Sequence, residues 1–333
     1  MTHLLDGKSI LISGGTGSFG QKFIEMAMAN SKPDRLIIYS RDELKQHDMR
    51  SRFTDEGDSV VRYFIGDVRD RRRLTRACKG VDIVIHAAAL KQVPACEYNP
   101  IEAVRTNIGG AVNVIDAALD CGVKQVIALS TDKATSPTNL YGATKLVAEK
   151  LFVQANSYRG AGGTRFSCVR YGNVLGSRGS ILPVWQAQAK RGLITITSLE
   201  MTRFLITLPQ AVGFVLSSLA MMHGGEIFVP KLPSVTIGTM ADAIAPGAER
   251  EIIGIRAGEK LHEQMVSVDE SIRTVDLGDR LAILPAHPWW PQHCYPEAQP
   301  VPAGWSYDSG TNDWWLTAKE VERLIEGTNE ENH

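Results

Sequence analysis

Along the first half of the chain, short and largely apolar runs recur, each separated from the next by a longer stretch in which apolar positions return every three or four residues. The runs are Ser9–Ser13, Leu36–Tyr39, Val60–Ile65, Ile83–His86, Val126–Leu129 and Phe166–Val169, and they are rich in β-branched residues. Strands buried on both faces read this way, without the apolar/polar alternation of a half-exposed sheet. Between them, the segment from Gly20 to Met28, Arg71–Lys79 and Ile101–Leu119 carry helical spacing. Such alternation predicts an α/β protein with a doubly wound parallel sheet.

Past residue 175 the alternation lapses, and a smaller C-terminal substrate domain is expected over 176–333. Ile206–Met222 is apolar at helical spacing and is expected to return to the first domain, so that 1–175 is joined by 205–228. The tail Pro285–Trp315 is rich in Pro, Trp and Gly; Trp289-Trp290 and Trp314-Trp315 are expected to cover the domain or fill a subunit contact. A helix over Ala318–Ile325 closes the chain.

Open parallel sheets hold their ligands at the carboxyl ends of the strands, so the residues just after each run are the informative ones. The first run is followed by Gly14-Gly-Thr-Gly-Ser-Phe-Gly20, a G-x-x-G-x-x-G turn that opens a helix. Glycines there let the backbone approach a pyrophosphate at the helix N-terminus, making Gly14, Thr16, Gly17, Ser18, Phe19 and Gly20 cofactor candidates. The second run ends in Ser40-Arg-Asp-Glu-Leu-Lys45, without the acid that binds an NAD ribose. Arg41 suits stacking on adenine and, with Ser40 and Lys45, charge neutralisation of a 2′-phosphate, which points to NADP; Asp42 and Glu43 pull the other way. Asp67 and Val68 follow the third run, and Ala87, Ala88 and Ala89 the fourth, where small residues let a cofactor lie on the backbone. His86, ending a buried run, reads as a packed core histidine.

The fifth run leads into Ser130-Thr-Asp-Lys-Ala-Thr-Ser-Pro-Thr-Asn-Leu-Tyr-Gly-Ala-Thr-Lys145. Tyr141 and Lys145 share a helix face, and a lysine near a phenol favours its ionised form. On an unremarkable helix such a pair is solvated, with Lys145 pairing Glu149. What precedes it, Thr131-Asp132-Lys133 at a strand end, gives it weight.

Composition narrows the classes of partner. Across 333 residues there are 36 basic and 37 acidic side chains, a net charge of −1, so no electrostatic footprint points to nucleic acid or an anionic membrane. No apolar run approaches the ~20 residues of a membrane span, and the N-terminus lacks a signal-peptide pattern, which makes a cytoplasmic protein the expectation. The five cysteines (Cys78, Cys96, Cys121, Cys168, Cys294) have no metal or redox spacing and read as free thiols, with no metal site.

Taken together, the glycine turn, Asp67-Val68, the alanine run and Tyr141-x-x-x-Lys145 resemble the extended short-chain dehydrogenase/reductases, Rossmann-type proteins that modify nucleotide sugars. More narrowly, Ser40–Lys45, His86-Ala-Ala-Ala-Leu-Lys-Gln-Val-Pro94, Ser130–Ala134 and Arg170-Tyr-Gly-Asn-Val174 resemble the inverting UDP-N-acetylglucosamine 4,6-dehydratases of pseudaminic acid-type pathways, over residues 7 to 275. The resemblance implies that Tyr141, helped by Lys145 and Thr131, oxidises the sugar at C4, that Lys133 takes the C5 proton, and that Asp132 protonates the departing 6-hydroxyl. Lysine occupies the place of a glutamate found in the C5-retaining relatives. A lysine serves as a base only if its pKa falls from about 10.4 toward neutrality, which burial and a cation such as Lys91 are expected to bring about.

The resemblance further implies that Lys91, Asn107 and Val174 border the cofactor, with Lys91 also bordering the sugar. Asn173, Arg178, Thr197, Arg203, Arg256 and Glu259 correspond to UDP-binding positions, and the small-residue loop carrying Gly179, Ser180, Ile181, Leu182 and Pro183 suits a substrate phosphate or uracil. Ala257 stands where relatives have proline and Ser198 where they carry aspartate. A homo-oligomer acting on UDP-N-acetylglucosamine is implied. Two alternatives remain open: a C4 epimerase or C5-retaining dehydratase, and a non-catalytic NADP-binding protein on the same fold.

Overall fold

The structure is a computed structural model, and it describes residues 3–53, 60–160, 162–287, 290 and 294–330. Ten strands form the main sheet: β1 (Ser9–Ser13), β2 (Arg35–Ser40), β3 (Val61–Ile65), β4 (Ile83–His86), β5 (Gln125–Leu129), β6 (Arg165–Val169), β7 (Ile227–Pro230), β8 (Thr274–Asp276), β9 (Arg280–Ile283) and β10 (Gln299–Pro300). Their order in space is β10-β8-β9-β7-β6-β5-β4-β1-β2-β3. From β3 to β7 all neighbours are parallel, and β9, β8 and β10 complete the edge antiparallel. The chain leaves β3 on one flank and resumes at β4 beside β1, so the order reverses between β1 and β4. In a doubly wound sheet that switch point is where a crevice opens.

Every residue of β1 and β4 is buried, which is why these runs lack alternation. The helix Leu208–Met221 starts at Thr207, whose hydroxyl and Gln210 form a reciprocal capping box, so Ile206 ends a strand rather than opening the helix. This helix lies against Ser18–Asn30, and β7 follows it into the main sheet. β8 to β10 join the same sheet although they fall within 176–333. A second, smaller core forms around Leu182, Trp185, Ile194, Ile196, Met240 and Val321.

The stretch Ile101–Leu119 is not one helix. Pro100–Ala103 passes into a π-helical turn, Val104–Gly109, before Gly110–Cys121 resumes α geometry. The wide turn accompanies the inward side chain of Asn107, a placement that periodicity alone does not report. The helix at Arg71 stops at Ala77, short of Gly80 with its φ of +68°. In the tail, Trp290 is buried and Trp314 and Trp315 are exposed, while Trp289 lies outside the described residues. Cys78, Cys96 and Cys168 are buried, all five cysteines are free, and among the described residues no helix is long and apolar enough to cross a membrane.

Candidate active site

At the strand-order switch the carboxyl ends of the parallel strands enclose a cleft of about 680 Å³, a size ordinary for cofactor and small-molecule sites. One end is walled by the turn Gly14–Gly17. Gly14 has a φ of +70°, and a Cβ there would stand 2.9 Å from the Ala88 backbone, so the turn can pack on the alanine run only without a side chain. The helix that follows has Gly17 at its N-cap, no side-chain cap and no acid in its first turn. Its unspent N–H groups, with Gly17, Ser18 and Phe19 on the cleft wall, suit the pyrophosphate of a dinucleotide. Gly20 is buried behind them.

At the end of β2, Ser40 Oγ lies 2.8 Å from Thr16 Oγ1. Arg41 reaches to 3.6 Å from Asp67, and Lys45 is paired with Asp42. The Asp67 carboxylate is engaged by Arg69 at 2.7 Å rather than open for an adenine amino group. Desolvation opposes its ionisation, but the Arg69 guanidinium and backbone N–H outweigh that and hold its pKa below the usual range. Ala87, Ala88, Ala89, Val68 and Lys91 line the opposite wall. His86 is buried against Ser13 Oγ at 2.8 Å, and burial, reinforced by the Lys145 charge, pulls its pKa down to about 3. It is a neutral core histidine.

Beyond β5, Thr131 caps the single turn Asp132–Ala134, and Asn139 Oδ1 accepts from Gly142 N at 2.8 Å to start the helix Leu140–Ala155. A Cβ on Gly142 would fall 2.1 Å from the Lys133 carbonyl oxygen. Glycine after Tyr141 therefore lets this helix press against the Asp132–Lys133 turn and bring the phenol to it. Burial pushes the Tyr141 pKa up to about 12, while the Lys133 charge and the Thr131 hydroxyl draw it down. Lys145 is buried and donates to Leu129 O at 2.7 Å; desolvation lowers its pKa. The Lys133 charge is therefore one influence on the phenol, and the Lys145 ammonium is anchored on the Leu129 carbonyl.

Lys133 departs from expectation more sharply. Its Nζ lies 3.1 Å from Asp132 Oδ1 and 2.9 Å from Glu263 Oε1. Desolvation works to discharge it, but the two carboxylates prevail and raise its pKa. Lys91 plays no part in this; its own pKa is lowered by desolvation and by Arg178. Asp132 is 1% exposed, accepts from Thr131 Oγ1 at 2.9 Å, and leaves Oδ2 buried without a hydrogen-bond partner. Sequence reasoning missed Glu263. Nothing in Leu261-His-Glu-Gln-Met265 signals that its side chain crosses to a turn so far back along the chain.

Behind the helix, Arg170 is fully buried between two carboxylates. It bonds Glu149 at 3.0 and 2.6 Å, Glu270 at 2.9 and 3.0 Å, and Met265 O at 2.8 Å. Glu149 therefore faces Arg170, one turn beyond Lys145. The network ties the end of β6 to the helix of Tyr141 and to the segment that delivers Glu263.

On the far side, Asn173, Val174, Arg178, Gly179 and Ser180 reach the wall. Arg178 N–H donates to Ser18 Oγ at 3.1 Å, and its guanidinium bonds the Thr16 carbonyl, so this loop closes over the glycine turn. Among the described residues, several candidates do not reach the cleft wall: Glu43, Asn107, Ile181, Leu182, Pro183, Thr197, Arg203, Arg256 and Glu259. Asn107 is turned to Leu90 and Thr144, and Leu182 belongs to the second core. The Thr197 hydroxyl donates to Met201 Sδ at 3.0 Å. Arg203 is buried and donates to the carbonyls of Thr202 at 2.7 Å and of Lys260 and Leu261 at 3.2 Å.

Residues 10–285 match the family model described as polysaccharide biosynthesis protein. A UDP-N-acetylglucosamine 4,6-dehydratase (inverting) from Campylobacter jejuni subsp. jejuni serotype O:23/36 (strain 81-176) is 51% identical over 98% of this chain and 99% of its own. The chain belongs to this family. The X-ray structure of Pen from Bacillus thuringiensis superposes with a TM-score of 0.89 at 37% identity, covering 98% of this chain and 99% of that one, which fixes the extended short-chain dehydrogenase/reductase fold. A UDP-glucose 4-epimerase from Rickettsia conorii (strain ATCC VR-613 / Malish 7) is 44% identical over 82% of this chain and 81% of its own, so family membership spans more than one outcome at C4 and C5.

Proposed function

We propose that the protein is a UDP-N-acetylglucosamine 4,6-dehydratase that inverts C5, a hydro-lyase giving UDP-2-acetamido-2,6-dideoxy-L-arabino-hexos-4-ulose. One observation carries the reading: Asp132 and Lys133 share the cleft with Tyr141 and Lys145. Oxidation or epimerisation at C4 needs a base for the 4-hydroxyl, but only elimination across C5 and C6 needs a second acid/base pair.

The cofactor is a nicotinamide dinucleotide. We read it as NADP, because Ser40 and Arg41 stand at the end of β2 where an NAD site presents an acid. Held by the Gly14–Gly20 turn, Ser40, Arg41 and Lys145, it would supply reversible hydride chemistry between C4 and C6 of the sugar, with no net oxidation over the cycle. Tyr141 as phenolate accepts the 4-hydroxyl proton, while Thr131 hydrogen-bonds O4. Lys145, anchored on the Leu129 carbonyl, holds the nicotinamide ribose. The ketone at C4 acidifies the C5 proton, which Lys133 accepts as a neutral amine, and Asp132 protonates the leaving 6-hydroxyl. Asn173 and Arg178 take the UDP portion, whose lobe is built on the second core. The sequence resemblance supports a place early in pseudaminic acid-type synthesis for bacterial surface or flagellin glycans, a cytoplasmic setting and a homo-oligomer.

A C4 epimerase is the second reading, favoured by the Rickettsia relatives. Incubation with UDP-N-acetylglucosamine without added cofactor separates the two. Mass spectrometry is expected to show loss of one water, with nucleotide that co-purifies with the protein sustaining turnover. An isomer of unchanged mass would establish the epimerase instead.

A further inference from the structure

Glu263 is a buried ionisable group to which the reaction above gives no role. It enters from the far end of the chain, 2% exposed, with its backbone N–H bonded to Ser309 Oγ at 2.8 Å. Oε1 lies 2.9 Å from Lys133 Nζ, while Oε2 is buried without a hydrogen-bond partner. Asp132 and Lys133 line the cleft and Glu263 does not. It therefore stands behind the lysine, out of reach of a sugar, and acts only through Lys133.

We propose that Glu263 is a positioning residue that stores the Lys133 proton during turnover. The proposal rests on the reading of Lys133 as the C5 base. That reading needs a neutral amine, yet the resting lysine is held between two carboxylates. In the resting cleft Lys133 keeps 25% of its side chain in contact with solvent. A sugar seated over it removes that water. A buried ion pair carries a desolvation cost that a hydrogen-bonded amine and carboxylic acid do not. The proton then moves from Lys133 Nζ to Glu263 Oε1, the N–H bond breaking as the O–H bond forms, and leaves a lone pair facing the cleft.

The proton count closes over the elimination, and the proton that C5 later regains is matched by the one Tyr141 takes from the 4-hydroxyl. Lys133 takes the C5 proton, passes a proton to Asp132 Oδ1 at 3.1 Å, and Asp132 gives it to the leaving 6-hydroxyl as water departs. Lys133 is again neutral, Asp132 again ionised, and Glu263 still protonated. No proton has to leave for solvent to generate the base.

Other charged groups surround this pair. Tyr141 and Asp132 lie on the cleft side, and Arg203 approaches Glu263 to 3.9 Å from the strand Thr202–Ile206. Lys260 and His262 lie on its own segment and Asp308 on the strand beside it.

The test is the pH profile of C5 deuterium exchange in heavy water, divided at each pH by the rate of nicotinamide reduction so that Tyr141 ionisation drops out, measured on the whole enzyme with UDP-N-acetylglucosamine. One proton shared by Lys133 and Glu263 makes the base available without net ionisation, so the wild-type rate is expected to be flat between about pH 6 and 9. In Glu263→Gln, Lys133 must lose its proton to solvent, and the rate should rise about tenfold per pH unit through that range. Formation of reduced nicotinamide on mixing with substrate should persist in the variant, which shows an intact oxidation site, and Glu263→Asp should restore the flat profile. A Glu263→Gln profile as flat as wild type, or a wild type that itself rises tenfold per pH unit, would overturn the proposal. Lys133→Ala in the same assay separates the two claims: retained exchange there would remove Lys133 as the base and leave Glu263 unexplained for a different reason.

Discussion

Two lysines, Lys145 buried and Lys133 part-buried, sit at the carboxyl end of one strand and experience opposite environments. Lys145 meets a backbone carbonyl, and desolvation lowers its pKa. Lys133 meets Asp132 and Glu263, and the carboxylates raise its pKa against the same desolvation. Burial alone does not decide how a lysine titrates; the partners do. In the proposed reaction the region around Lys145, anchored on the Leu129 carbonyl, stays fixed while a cofactor lies on it. The region around Lys133 holds the ionisable groups among which a proton can move. The proposed oxidation and elimination sites are thereby kept apart within one cleft.

Substitutions that remove one region and spare the other test this separation. The largest effect is expected for Tyr141→Phe and Lys145→Ala, which strip the oxidation site: turnover should fall by at least about 10²–10⁴, and stopped-flow absorbance should show no reduced nicotinamide on mixing with substrate. Normal reduction in Tyr141→Phe would take the phenol out of the base role. Lys133→Ala should lose product formation to a similar extent while the first reduction proceeds, leaving a bound 4-keto sugar detectable after quenching. Loss of both steps together would dissolve the comparison.

Arg170→Met probes what holds the two regions in register. It leaves Glu149 and Glu270 as buried, unpaired carboxylates, a change that costs about 3–5 kcal/mol and should appear as a lower denaturant midpoint. An unchanged midpoint would show that the network is not structural. Per pH unit, the smallest effect concerns His86, the neutral neighbour of Lys145. Its folded pKa of about 3 lies below an unfolded value of about 6.5, so the unfolded chain binds the extra proton between these limits. Stability should therefore fall as pH drops from 6.5 toward 3, by about 1.4 kcal/mol per unit from this group. His86→Gln should flatten that part of the curve, and an unaltered slope would contradict a neutral histidine there.

Much of this was legible in the chain. The strands of the first half lie within a residue or two of the apolar runs, because strands buried on both faces leave an unbroken apolar record. The turn from Thr131 to Lys133 and the helix bearing Tyr141 and Lys145 were legible because the residues that meet are close in sequence. Glu263 was not, since a charged residue in Leu261-His-Glu-Gln-Met265 carries no mark of the side chain it will face. The π-turn at Val104–Gly109 was hidden for a related reason: apolar spacing reports which side is buried and not how wide a turn is. The inward set of Arg203, donating to Thr202, Lys260 and Leu261 carbonyls, likewise depends on long-range packing.

The account's central claim is that Asp132 and Lys133 carry out an elimination with inversion at C5. The measurement that tests it most directly is the NMR spectrum of the product made from UDP-N-acetylglucosamine in heavy water. The prediction is a 6-deoxy-4-keto sugar with solvent deuterium at C5 in the L configuration. A 6-deoxy-4-keto product in the D configuration from the first time point would contradict it.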